Sequence, residues 1–239
     1  MRQRRRAPRA IPRFDGRAML AAALVALLAA APARAQAVPC TGTGPASEAT
    51  PAEVEAYVKA QGKRVLTFVG YSGAEYENQA LMLVAARSAL TSHDPRATIV
   101  NIGATIEGIG AVYELARTLG FATMGIVSTQ ARDTKATLSP CVDRVFFIRD
   151  QTWGGLLEGQ QRLSPTSAAM VAVSDEVLAI GGGDVSRDEL AGAERAGRKT
   201  SFVPADMNHE IARARAKRRG EPEPTDFAGP VAAARRQRR

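Results

Sequence analysis

Three glycine-rich turns are the parts of this sequence best suited to hold an anion. They are Gly70-Tyr71-Ser72-Gly73, Gly103-Ala104-Thr105-Ile106-Glu107-Gly108-Ile109-Gly110 and Gly181-Gly182-Gly183-Asp184-Val185-Ser186. Each directly follows a short apolar run. A glycine there lets backbone N–H groups approach an anion, and a helix starting just beyond adds unsatisfied N–H groups and the positive end of its dipole. Gly70, Ser72, Gly103, Gly108, Gly182, Gly183 and Ser186 are therefore candidate phosphate-binding residues. Ser186 can in addition cap its helix or offer its hydroxyl to a phosphate. The same glycines also suit a strand–helix turn that binds nothing. None of the three turns matches the dinucleotide fingerprint Gly-x-Gly-x-x-Gly or the Gly-x-x-x-x-Gly-Lys-Ser/Thr phosphate loop.

Other polar residues gather near predicted strand ends. Ser164, Thr166 and Ser167 form a hydroxyl cluster that can hydrogen-bond phosphate or sugar. Asp150 and Trp153 follow the run RVFFI; the indole can stack on a base or ribose and the carboxylate can bind hydroxyls. Asn208 and His209, candidate ligand or substrate contacts, follow Asp206, which reads first as a helix N-cap. There are two histidines and two cysteines, none at metal-ligand spacing, so no metal and no cofactor are expected. The Gly-x-Ser-x-Gly elbow is absent and no serine has a recognisable His/Asp relay, which argues against nucleophilic catalysis.

The elements that must position these residues alternate. Strands are predicted at Arg64–Val69, Ala97–Ile102, Phe121–Val127, Arg144–Ile148, Glu176–Ile180 and Thr200–Val203, each a continuous apolar run. Helices are predicted at Pro51–Gln61, Glu75–Leu90, Glu107–Leu119, Ser164–Val173, Ser186–Ala196 and Asp206–Arg219. Ser128–Pro140 reads as a polar loop and Asp150–Leu163 as irregular. Strands buried on both faces and separated by helices imply βαβ units. The expected fold is α/β, a Rossmann-like three-layer sandwich with a mostly parallel sheet. In such sheets ligands bind past the carboxyl ends of the strands, where the three turns fall.

The order of these turns resembles the SLOG superfamily, whose best-known members are the cytokinin-activating phosphoribohydrolases, long labelled lysine decarboxylases. The family has a Gly-Ser turn after the first strand, where Gly70-Tyr71-Ser72 stands here. It has Gly-Gly-Gly-x-x-Gly after the second, where Gly103-Ala104-Thr105-Ile106-Glu107-Gly108 stands. Its signature is Pro-Gly-Gly-x-Gly-Thr-x-x-Glu. Gly182, Gly183 and Glu189 match it, Ser186 replaces Thr, and Gly181 and Val185 depart. The resemblance spans roughly Arg64–Pro204 and implies that Glu189 acts as a general acid/base. Thr166 and Ser167 occupy the positions of the family's Arg-Lys pair, whose Arg works with the signature Glu; Arg162 lies one turn earlier. That departure favours ligand binding over turnover.

The ends carry other information. Residues 2–17 hold seven arginines, Ala18–Ala31 is apolar, and Ala33-Arg34-Ala35 offers an Ala-x-Ala cleavage site. This order describes a secretory signal peptide over residues 1–35, with cleavage after Ala35 or Ala37 and no stable membrane span afterwards. A periplasmic or secreted protein is expected. Removing residues 1–35 takes away eight arginines and one acid, so the net charge falls from +8 to +1. Arg213–Arg239 carries +6 of the rest, so the basic pI is a property of the ends and no specific nucleic-acid face is expected. Residues 36–62 read as a lead-in and first helix, 63–219 as the Rossmann-like domain and 220–239 as a disordered basic tail. In an oxidising compartment Cys40 and Cys141 read as a disulfide, with two unrelated thiols as the alternative. The combined expectation is an exported protein binding a nucleotide or related sugar-phosphate ligand. A hydrolase of a nucleoside phosphate using Glu189 and a non-catalytic envelope scaffold are the alternatives, and a homo-oligomer is left open.

Overall fold

Among the described residues, seven parallel strands form one sheet, in the order β1-β5-β4-β3-β2-β6-β7. The computed structural model describes residues 40–237, so the signal peptide expected over residues 1–35 lies outside the described residues. The strands are β1 (Ala46–Glu48), β2 (Arg64–Gly70), β3 (Thr98–Ile102), β4 (Ala122–Ser128), β5 (Arg144–Ile148), β6 (Glu176–Ile180) and β7 (Lys199–Val203). The helices are α1 (Pro51–Gln61), α2 (Gln79–Thr91), α3 (Val112–Thr118), α4 (Gln130–Asp133), α5 (Pro165–Val173), α6 (Asp184–Arg195), α7 (His209–Arg219) and α8 (Gly229–Gln237).

Alternation along the strands builds the layers. Leu66 and Phe68 of β2 pack with Met82, Ala86 and Leu90 of α2 and with Val112, Tyr113 and Ala116 of α3. Val65 of the same strand packs with Val54 of α1 and Ala169, Met170 and Val173 of α5. Val69 continues that face against Leu190 and Ala193 of α6 and Val231 of α8. The result is a helix–sheet–helix sandwich, the α/β arrangement expected for continuous apolar strands. Among the described residues no helix is long and apolar enough to cross a membrane.

Local sequence signals set most boundaries. At α1, Glu53 N–H donates to the Thr50 hydroxyl at 3.3 Å, Thr50 N–H donates to the Glu53 carboxylate at 2.7 Å, and Gly62 closes the helix. Such a cap is worth about 1 kcal/mol. The helix expected at Glu75–Leu90 starts later, at Gln79, because Asn78 accepts from Leu81 N–H. The one expected at Glu107–Leu119 opens with a 3-10 turn, Gly108–Ala111, before α3. The polar loop Ser128–Pro140 contains the short α4. Asp206 is not the cap of the last helix; Asn208 is, accepting from Ile211 N–H at 2.9 Å.

Two expectations at the ends are corrected. The lead-in contains β1, which pairs in parallel with β5 at the sheet edge. Cys40 and Cys141 form a disulfide beside it, across 101 residues of chain. The tail 220–239 holds α8, which packs against α6 with Val231 only 1% exposed. Burial of Val231 and Ala232, and a hydrogen bond from Val231 N–H to the Gly182 carbonyl, give this charged segment the apolar anchor that disorder would lack.

Candidate functional site

The sheet order reverses at β2. The chain steps outward through β3 and β4 to β5, then crosses back to place β6 and β7 on the other side of β2. Turns after β2 and β6 therefore diverge, leaving a crevice at the carboxyl edge, where ligands bind in open parallel sheets. A cavity of about 850 Å³ lies there. Gly70, Ser72, Gly103, Trp153, Thr166, Gly183, Ser186 and Glu189 all line it. Gly108, Asp150, Ser167, Gly182 and Asn208 do not.

The third turn delivers the N-terminus of α6 to this cavity. Gly183 is the N-cap and supplies no side-chain cap. Gly183, Asp184, Val185 and Ser186 line the wall, so the first N–H groups of a 12-residue helix are offered there. The Asp184 side chain is 72% exposed and pairs at 2.6 Å with Arg187, which Asp188 shares at 2.8 Å, so solvent and a shared guanidinium together screen its charge at this anion-favouring end. A Cβ on Gly183 would meet only open space, whereas one on Gly182, at φ +127°, would run into Ser186 and Val231. Gly183 is thus left small beside the cavity, and Gly182 is required by the turn. The Ser186 hydroxyl is already committed, donating to the Gly70 carbonyl at 3.0 Å, so its backbone N–H is what remains to offer.

Gly70 and Gly108 serve the backbone of the first two turns. A side chain on Gly70 would strike the Tyr76 hydroxyl, which donates to the Ile180 carbonyl at 2.7 Å. One on Gly108 would strike the Tyr71 carbonyl, the acceptor of Ile109 N–H. Asn208 spends its side chain on α7. Asp150 is buried, and its carboxylate accepts from Thr152 N–H at 2.9 Å and from Thr166 N–H, the start of α5, at 2.9 Å. Burial works to raise its pKa. These N–H groups, with the nearby Thr166 and Ser164 hydroxyls, outweigh burial and hold the carboxyl below its ordinary value.

Glu189 lives in the opposite environment. It is 5% exposed, and burial pushes its carboxyl up to about 7; the Ser167 hydrogen bond pulls the other way and the neighbouring Asp188 charge adds to the rise. Ser167 donates to Glu189 Oε1 at 2.7 Å and accepts from Gly155 N–H at 2.7 Å. This chain runs from the Trp153 loop through α5 to α6. Ser167 therefore holds Glu189 rather than touching the cavity, and Oε2 is the oxygen not held by Ser167. Trp153 is half exposed at the cavity wall.

The sequence reading missed two wall residues, Arg215 and Arg219 of α7. Their signal was legible as a four-residue spacing, which puts two side chains on one helix face. Arg215 donates to the Gly73 carbonyl at 2.5 Å. Glu107 reaches the same wall from the second turn. Among the described residues no group of His, Cys, Asp and Glu is arranged to hold a metal ion.

No protein-family model matches this chain, and no curated protein matches it. Solved structures similar to it include the molybdenum cofactor carrier protein of Chlamydomonas reinhardtii, at 19% identity, covering 73% of this chain and 96% of that one with a TM-score of 0.43. The molybdenum cofactor binding protein of Rippkaea orientalis is similar at 18% identity, covering 59% of this chain and 76% of that one, with a TM-score of 0.43. What the site can do is set by this chain's own residues.

Proposed function

We propose that this chain binds a nucleotide or related sugar phosphate in the cavity, with the phosphate against the N-terminus of α6. The observation that carries this reading is the uncapped start of α6, open to a cavity large enough for a nucleotide, with no side chain at Gly183 in the way. Backbone N–H groups and the helix dipole favour an anion there. Ser72 and Gly103 lie on the opposite turns, and the Trp153 indole offers a face to a ring.

The decisive comparison is thermal stability of the wild-type chain and Gly183→Val with AMP, ribose 5-phosphate and adenosine. A Cβ at Gly183 meets nothing within 4 Å, but valine is a poorer N-cap than glycine, so each shift is read against the variant's own ligand-free Tm. At 100 times the dissociation constant a ligand stabilises by about 2.7 kcal/mol, a shift of several degrees. The phosphates are expected to shift the wild type and not the variant. An equal shift in both would remove the phosphate from this turn.

One observation favours turnover as a second reading. A buried carboxyl with a pKa near neutrality, lining the cavity, is suited to general acid/base work on a nucleoside phosphate. Glu189→Gln keeps the shape and removes the proton exchange. Product release from AMP is expected to vanish in that variant, and unchanged release would deny Glu189 the role.

Export is part of the proposal. The basic, apolar and Ala-x-Ala order of residues 1–37 and the Cys40–Cys141 disulfide support a periplasmic or secreted site of action. The scaffold reading, in which a free basic tail meets anionic surfaces, is weakened by pairing. Arg235 meets Glu194 at 2.5 Å, Arg236 meets Asp226 at 2.7 Å and Arg213 meets Glu223 at 2.8 Å.

A further inference from the structure

The α6 N-terminus accounts for one anionic group of a ligand, but the cavity has a second cationic feature that this leaves unused. Arg215 and Arg219 stand one helical turn apart on α7 and both line the cavity. A guanidinium presents five N–H donors in a planar fork. Arg215 spends one nitrogen on the Gly73 carbonyl, which fixes the side chain at the wall, and no carboxylate among the described residues pairs with it. Arg219 has only Glu221, at 3.9 Å, and its side chain is 67% exposed. An ion pair that loose in water contributes little.

The charges around them leave a net positive wall. Glu107 is the one acid that shares this side of the cavity; it and Arg215 flank Gly73, where a Cβ would lie 3.0 Å from the Glu107 carboxylate and 3.3 Å from the Arg215 guanidinium. Among the residues that line this wall, two guanidinium groups stand against one carboxylate; Glu221, the loose partner of Arg219, is not part of the lining. Asp184 faces solvent and shares Arg187 with Asp188. Cations held in a concave wall with unspent donors recognise phosphate oxygens, and Arg does so with a geometry that a lysine lacks.

We propose that Arg215 and Arg219 form a second anion subsite, and that the ligand of this cavity carries a second phosphate, as in a nucleoside diphosphate. This rests on the reading that the first phosphate sits at α6. The role of each arginine differs. Arg215 is pre-positioned by Gly73, so it needs little ordering on binding, whereas Arg219 closes from solvent.

The test is the ratio of the AMP and ADP dissociation constants, measured by calorimetry on the full chain. The wild type is expected to bind ADP at least tenfold more tightly than AMP. Arg219→Gln is expected to bring the ratio toward one, and Arg215→Gln to do the same. Arg219 makes no buried structural contact, so its variant keeps the test meaningful if loss of the Arg215–Gly73 bond disturbs the loop. A wild-type ratio near one, with AMP bound, overturns the second subsite and leaves the α6 reading intact. A preference for ADP that survives in both variants also overturns it. If neither nucleotide binds, the α6 reading fails and this one with it.

Discussion

Two carboxyl groups near the cavity show how environment, not residue type, sets chemistry. Asp150 is buried but accepts from two backbone N–H groups and stays anionic. Glu189 is buried with one hydroxyl donor and keeps its proton to about pH 7. The consequence reaches stability. Below about pH 4.5 the Glu189 carboxyl is protonated whether the chain is folded or not. Between 4.5 and 7 the unfolded chain gives up that proton while the folded chain holds it, so stability falls as pH rises through the folded value. The loss by pH 8 is on the order of 3 kcal/mol. Glu189→Gln retains the acceptor for Ser167 and has no proton to lose. Urea unfolding at pH 5 and pH 8 is expected to show that loss in the wild type and most of it gone in the variant. Equal losses in both chains would mean that Glu189 ionises as an exposed carboxyl does.

At the scale of elements, what was legible follows from where burial writes a pattern. Strands are legible where both faces are covered: after their leading charged residues, RVFFI and EVLAI are wholly apolar. β1 lacks such a run. Its three residues, Ala46–Glu48, sit at the sheet edge with Ser47 held by Arg144 and Glu48 by Arg132, and a strand held by polar contacts needs no apolar run. α8 was hidden for a related reason. Its sequence, GPVAAARRQ, holds one large apolar residue among arginines, and Val231 becomes an anchor only when the faces of α6 and β2 lie beside it. The candidate site divides in the same way. The glycine turns are visible because turn geometry constrains residue type locally. Ser167 and Glu189 were both singled out, but the hydrogen bond joining them crosses from α5 to α6 and cannot be read from either segment. Arg215 and Arg219 were read as part of a basic end, since charge counted along the chain does not say which helix face meets a cavity. Order in the tail comes from the tertiary anchoring of Val231, which charge composition does not encode.

At the scale of the molecule, the disulfide joins the margin of the fold to the site. It ties Cys40, ahead of β1, to Cys141, ahead of β5. Around it Gly44 N–H donates to the Val142 carbonyl at 2.7 Å and Thr43 Oγ1 to the Ser139 carbonyl at 3.0 Å. The segment it secures includes Thr137 and Leu138 of the cavity wall, and Ser139 N–H reaches back to the Ala104 carbonyl in the second glycine turn. Beyond its pairing with β5, this three-residue edge strand is held by Arg144 at Ser47 and Arg132 at Glu48. In the chain-entropy account, closing a loop of about 100 residues stabilises by up to ~4.7 kcal/mol, by restricting the unfolded chain. For a protein of this size each kcal/mol is worth roughly 2–4 °C in Tm. Reduction, or Cys141→Ser, is therefore expected to lower Tm by roughly 10 °C. Cys141 is buried, so the serine hydroxyl adds a polar cost of its own, and reduction of the wild type is the cleaner measurement. A Tm unmoved by reductant, with free thiols shown by labelling, would mean that β1 and the cavity wall are held by packing and hydrogen bonds alone. A drop on reduction would make the fold dependent on an oxidising compartment, and so tie stability to the export that residues 1–37 suggest.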